Sequence, residues 1–220
     1  MRDLVTAAAL VFDFDGTLAP NLDLPDMRRR VIALTDANGV PTQVFERLHI
    51  VEVIEAATEW LQEHDPSAAE TYHGKAHRLI TDIELNAASS TEPFPEVRAL
   101  ACTLRQSGRK TAVVTRNCSE AIRTIFPDID DCFDSVLARD DVPHLKPDPR
   151  HIVQALDGLS VAPQLAAMIG DGGIDMHTGK TLDMYCVGVL TGSGDTDTLV
   201  SAGADLVIAD VGRLVELDWS

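Results

Sequence analysis

Asp13 and Asp15 stand two apart in the run Asp13-Phe14-Asp15-Gly16-Thr17, just where the apolar stretch Ala8 to Phe12 ends. In extended backbone, positions i and i+2 point to the same side, so both carboxylates can face one site. Gly16 lets the backbone turn sharply and approach a ligand closely. Three further segments carry polar groups of similar promise. Thr115 closes the apolar run Val113-Val114 and is followed by Arg116 and Asn117, a hydroxyl, a guanidinium and an amide that suit an anion. Asn117 has the plainer alternative of capping the helix that follows. Lys146 lies in Leu145-Lys146-Pro147-Asp148-Pro149, where two prolines stiffen the backbone that presents it. Gly170-Asp171-Gly172-Gly173-Ile174-Asp175 adds two more acids, four apart, across a loop and a first helical turn. Four carboxylates converging on one place repel each other unless a cation sits among them. Hard oxygen donors that leave room for water and phosphate suit Mg²⁺.

The elements that must position these residues follow from the apolar pattern. Short unbroken runs at Ala8–Phe12, Lys110–Thr115, Leu165–Gly170, Met184–Val189 and Asp205–Ile208 suit central parallel strands buried on both faces. Helical segments alternate with them at Glu96–Gln106, Ser119–Ile125, Pro149–Leu156, Ile174–Leu182 and Asp195–Ser201. That alternation predicts an α/β fold built on a doubly wound parallel sheet. Every candidate residue then falls at the carboxyl end of a strand, where open parallel sheets form their sites. From Pro20 to about Ser90 the alternation stops and the pattern is helical. Val44, Leu48, Val51, Ile54 and Leu61 predict one amphipathic face, and Pro25, Gly39–Pro41 and Asp65–Pro66 punctuate about three helices. An all-helical insertion over residues 20–90, with a core of residues 1–19 and 91–220, is the expected division, hinged at 18–21 and 87–95.

Composition bounds the partners. The 220 residues carry 18 Lys and Arg against 35 Asp and Glu, a formal net charge of −17. Such a surface repels phosphate backbones and anionic membranes, so neither nucleic acid nor membrane is an expected partner. The insertion holds 6 of those basic residues and 12 of the acidic ones, so it is no basic clamp. Cys102, Cys118, Cys132 and Cys186 lack metal-type or C-x-x-C spacing and read as buried free thiols of a reduced, cytoplasmic protein. No apolar run nears the ~20 residues a membrane span needs, and the N-terminus reads as a first strand rather than a secretory signal.

With these four segments in place the chain resembles the haloacid dehalogenase-like (HAD) superfamily across its whole core. Asp13 and Asp15 match its first motif, Thr115 the second, Lys146 the third, and Asp171 and Asp175 the fourth. The insertion is similar to the helical cap of the phosphoglycolate-phosphatase-like and β-phosphoglucomutase-like branches. Gly172 departs from the Ser or Thr frequent at that place. The resemblance implies a Rossmann-like core with an inserted cap and hydrolysis of a small phosphorylated metabolite. Asp13 would be the nucleophile and form an aspartyl-phosphate, with Asp15 as general acid and base. Asp13, the main-chain carbonyl of Asp15 and Asp171 would hold Mg²⁺, with Asp175 orienting Lys146 or a metal-bound water. Thr115, Lys146 and the amides near Asp15–Thr17, hence Gly16 and Thr17, would hold phosphoryl oxygens, with Arg116 and Asn117 at the edge. Dehalogenases of the family lack the second aspartate, so Asp15 favours phosphate esters. A phosphomutase of the β-phosphoglucomutase type and a non-catalytic binding protein are the rival readings. The expected state is a monomer or homodimer.

Other features of the sequence read as structural or solvated. His73 and His77 stand i and i+4 on a predicted helix, a spacing able to bind zinc, but no nearby Cys or His adds a third ligand and Gly74 weakens the helix. Arg28-Arg29-Arg30 reads as a solvated face, with contact to an anionic substrate as the sharper option. Phe45, Trp60 and Tyr72 read as cap core. Gly192 and Gly194 read as a flexible loop rather than a nucleotide cradle.

Overall fold

The computed structural model describes residues 4–219. Six parallel strands, β1 (Ala9–Phe12), β2 (Lys110–Val114), β3 (Ser135–Leu137), β4 (Ala166–Gly170), β5 (Tyr185–Val189) and β6 (Leu206–Ile208), form one sheet in the order β3-β2-β1-β4-β5-β6. β1 lies in the middle, with Val11 in register with Ala112 of β2 and Met168 of β4. The chain winds outward from β1 through β2 to β3, then crosses to β4 on the other side. The reversal between β1 and β4 is the switch point at which doubly wound sheets open a crevice.

Nine helices are described: α1 (Leu24–Ala37), α2 (Ile50–His64), α3 (Pro66–Ala88), α4 (Val97–Gln106), α5 (Ser119–Ile125), α6 (Ile129–Cys132), α7 (Arg150–Leu159), α8 (Gly173–Thr181) and α9 (Thr196–Ser201). β1 and β4 are buried along their whole length, which explains their unbroken apolar sequences. Strand alternation divides the core. Ala9, Val11, Ala112, Val114 and Met168 cluster with Ile152, Leu156, Met176 and Leu199 from α7, α8 and α9. On the alternate register Phe12 meets Phe133 edge to face, ring centroids 5.8 Å apart.

The expected strands are present with trimmed ends, and β3 is an addition. Its three half-buried residues make too short an apolar run to register as a strand. Residues Asp23–Ala87 form one compact unit, and the described chain on either side of it forms the other. Within the helical unit α1 packs on α2, and the Tyr72 hydroxyl hydrogen-bonds that of Thr35 at 2.7 Å. The expected amphipathic face is corrected in register. Thr42–Val44 is a 3-10 turn and α2 starts only at Ile50, so Val44 and Leu48 lie outside the helix. Val53, Ile54, Ala57 and Leu61 are its buried side. Phe45 and Tyr72 are buried as expected, whereas Trp60 is half-buried and stacks on His64 at 3.9 Å. The arginine triplet is used inside the unit. Arg28 donates to the carbonyls of Glu46 and Leu48, while Arg29 and Arg30 pair with Asp26. All four cysteines are free, but only Cys118 and Cys186 are buried and Cys102 is exposed.

Candidate active site

Asp13 leaves the end of β1 as the sheet's central strand stops, its amide still bonded to Ile169 of β4. The chain then folds back at once. The Phe14 carbonyl accepts from the amides of Thr17, Leu18 and Ala19, and Gly16 takes φ +78°, a conformation that favours glycine. Asp13 contacts Lys146 and lies near Asp171 and Asp175, whereas Asp15 contacts Asn117 and Thr115.

Around Asp13, Lys146 is the organising group. It is 1% exposed, and its Nζ donates to Asp13 Oδ1 at 2.8 Å and to Asp175 Oδ1 at 2.7 Å. Burial opposes the lysine's charge, but the two carboxylates more than offset it and hold its pKa above the ordinary value. Burial raises the pKa of all three neighbouring acids. For Asp13, Lys146 works against that rise and Asp171 adds to it; for Asp171, Asp175 adds to it. Asp175 is pushed up to about 6, chiefly by burial. Its other oxygen accepts from the Gly172 amide at 3.1 Å, fixing the first turn of α8.

Asp171 is held from a loop that sequence reasoning discounted. Its Oδ2 accepts from the Ser193 amide at 2.6 Å, the Ser193 hydroxyl at 2.9 Å and Asn21 Nδ2 at 3.3 Å. The Gly194 amide donates to the Asp171 carbonyl, and the Thr191 hydroxyl reaches back to the Gly16 carbonyl. Thr191–Gly194 is therefore latched on the site. A Cβ at Gly16 would come within 2.6 Å of the Asp171 carboxylate, and one at Gly192 would collide with it outright. Those two glycines are needed for the close approach. The only sequence sign of this wall was the glycine spacing after β5.

Asp15 is cradled by Asn117, whose Nδ2 donates to both carboxylate oxygens at 3.1 and 3.2 Å. The Thr115 hydroxyl accepts from the Asn117 amide and lies 3.5 Å from Asp15 Oδ2. Asn117 Oδ1 also accepts from the Cys118 amide, but Cys118 itself is the N-cap of α5, so the capping alternative for Asn117 is corrected. The Arg116 guanidinium donates to the Lys146 carbonyl and so braces the lysine's backbone. His151, which the sequence did not flag, braces it from the other direction. Its Nδ1 accepts from the Lys146 amide and its Nε2 donates to the Leu137 carbonyl, both at 3.3 Å. That pattern requires a neutral ring, and burial lowers its pKa to about 3.

Two of the amides expected to hold phosphate are engaged within the turn. Gly16 N–H donates to Ala19 and Thr17 N–H to Phe14, so both are consumed by the turn. Thr17 contributes differently: its hydroxyl oxygen is the one buried side-chain polar atom among the described residues without a hydrogen-bond partner. A buried orphan of this kind is costly unless a ligand meets it.

Oxygens of Asp13, Asp171 and Asp175 lie within 4.8 Å of one another, with the Lys146 ammonium bridging Asp13 and Asp175. Hard carboxylate donors in excess of positive charge fit a hard divalent cation. The haloacid dehalogenase-like hydrolase family model matches residues 7–183. The chain belongs to the haloacid dehalogenase-like hydrolases. It is 24% identical over 218 residues to a phosphoglycolate phosphatase of Vibrio cholerae, covering 94% of this chain and 95% of that one. To a phosphoglycolate phosphatase of Caulobacter vibrioides it is 28% identical over 215 residues, covering 94% and 89%. A solved β-phosphoglucomutase of Clostridium difficile shares the fold at TM-score 0.68 and 18% identity, covering 94% of this chain and 93% of that one. As a haloacid dehalogenase-like hydrolase, the chain is an enzyme built on the family's α/β sheet. Among the described residues no helix is long and apolar enough to cross a membrane.

Proposed function

We propose that this chain is a Mg²⁺-dependent phosphatase that hydrolyses a small phosphomonoester through an aspartyl-phosphate on Asp13, with the helical insertion as its cap domain. The observation that carries the reading is that the two aspartates keep different company: Asp13 is bridged by Lys146 to the buried Asp175, while Asp15 accepts from Asn117 and lies beside the Thr115 hydroxyl. Two carboxylates in unlike surroundings suit unlike roles. A carboxylate oxygen of Asp13 attacks phosphorus as the bond to the leaving oxygen breaks, and Asp15 gives that oxygen its proton. Asp15 then takes a proton from water as the water oxygen attacks phosphorus. The bond to Asp13 breaks and inorganic phosphate leaves. Asn117 holds Asp15 through both steps. The Thr115 and Thr17 hydroxyls and Lys146 bind phosphoryl oxygens. Arg116 and His151 keep the lysine in place. Asp13, Asp171 and the Asp15 carbonyl would hold Mg²⁺, with Asp175 orienting Lys146 or a metal-bound water, and the ion would supply the positive charge that lets an anionic carboxylate approach an anionic phosphate.

The phosphoglycolate phosphatases among its relatives make small phosphorylated acids the first substrates to offer. Phosphate release from a panel of phosphorylated metabolites, with Mg²⁺ and with EDTA, tests the reading. Metal-dependent release from at least one compound is expected. Conversion of a sugar phosphate to its isomer with no free phosphate would assign the mutase reaction instead.

A further inference from the structure

On the surface of the helical unit, Glu55 of α2 meets His73 and His77 of α3. Glu55 Oε1 lies 3.3 Å from His77 Nε2 and 3.7 Å from His73 Nε2, and the two imidazole centroids are 4.4 Å apart. One ligand atom from each falls within 4.8 Å of the others. We propose that these three side chains form a second metal site, separate from the carboxylate cluster, that binds Zn²⁺ and clips α2 to α3. The sequence offered the two histidines and no third ligand. Folding supplies Glu55, 18 residues before His73, as that ligand.

The geometry suits the ion. Zinc bonds of about 2.0–2.2 Å to nitrogen and oxygen place tetrahedral ligand atoms roughly 3.3–3.5 Å apart. The Glu55 separations are already close to that range. Two imidazoles and one carboxylate favour zinc over magnesium, whereas the core cluster of carboxylates has the opposite preference. The backbone under the site is well anchored. Val53, Ile54 and Ala57 around Glu55 are buried, as are Tyr72 and Ala76 around the histidines. Glu55 is ready to bind, since hydrogen bonding from His77 holds its carboxylate below the usual range. Zinc would take the place of the imidazole hydrogens that now face Glu55. Three protein ligands leave the fourth position to water. The Arg78 guanidinium, folded back toward Gly74, adds positive charge on the same helix, so the affinity expected is micromolar rather than that of a closed structural site.

The test is Zn²⁺ titration of the full-length protein in excess Mg²⁺, read by calorimetry and by thermal unfolding. Wild type should take up one Zn²⁺ and melt at a higher temperature when it does so. The double variant His73→Ala/His77→Ala, exposed enough to fold normally, should lose the thermal shift. Its affinity should fall at least about tenfold, since even changes behind a metal ligand cost that much. Glu55→Gln should weaken binding while leaving both histidines. Unchanged circular dichroism and Mg²⁺-dependent phosphate release would show each variant folded. Zinc uptake by the double variant at wild-type affinity and stoichiometry would overturn the proposal, as would a wild type that binds none. Neither outcome bears on the phosphatase reading, which uses other residues and another ion.

Discussion

Lys146 is nearly inaccessible to water, yet charged, because it bridges Asp13 and Asp175. Removing one partner of such a group leaves the others buried and unpaired, which typically costs about 3–5 kcal/mol. Lys146→Ala should therefore lower stability by roughly 3 kcal/mol in metal-free urea unfolding at pH 7.5. The loss should shrink at pH 5, where Asp175, with a pKa of about 6, takes up a proton and needs no partner. An equal loss at both pH values would mean that the lysine works through packing. Ser193 gives a finer test. Its amide and hydroxyl both donate to Asp171 Oδ2, and Ser193→Ala removes only the hydroxyl. One hydrogen bond to a charged group is worth about 1.5–3 kcal/mol, so the Mg²⁺ concentration for half-maximal activity should rise about tenfold or more. Turnover at saturating Mg²⁺ should stay near wild type. A fall in turnover at every Mg²⁺ level would give Ser193 a different role.

The strands that end in functional residues were legible because burial on both faces leaves an unbroken apolar signature, and because Asp13, Thr115 and Asp171 interrupt it abruptly. β3 was not legible. An edge strand of three half-buried residues has no such signature, yet it steadies much of the site. The Leu137 carbonyl accepts from the Thr115 amide and from His151, and the turn after it sends Arg139 N–H to the Asn117 carbonyl. The bracing residues were hidden for a related reason. What His151, Ser193 and Asn21 do depends on partners that only folding brings near, and a histidine or serine in isolation has no motif. Arg116 was singled out for its charge, but its position beside the Lys146 carbonyl is a tertiary fact. At this scale His151→Ala is the informative change. It removes the acceptor of the Lys146 amide and the link to β3, so stability should fall by about 1–3 kcal/mol and turnover should fall with it. A variant that lost stability with full turnover would show that Lys146 holds its place without the brace.

The whole sheet brings four aspartates from positions 13 to 175 to the one crevice where its winding reverses, in a chain of net charge −17. Concentrated negative charge favours a cation and makes the metal-free fold sensitive to pH. Asp175 has a folded pKa of about 6 against 3.8 for a free aspartate, so between those values the folded chain holds more protons than the unfolded one. Its contribution to stability is present at low pH and is lost as pH rises toward and through 6. Mg²⁺ should therefore raise the melting temperature more at pH 7.5 than at pH 5, and an equal shift at both would separate the cation site from this cluster. The most direct test of the central claim is Mg²⁺-dependent phosphate release by Asp13→Asn beside wild type, on whichever phosphomonoester wild type prefers. The asparagine keeps the shape of the side chain and removes the anionic oxygen, so the variant should fold and melt cooperatively while releasing no phosphate above the EDTA control. Release by Asp13→Asn at a rate near that of wild type would contradict the account.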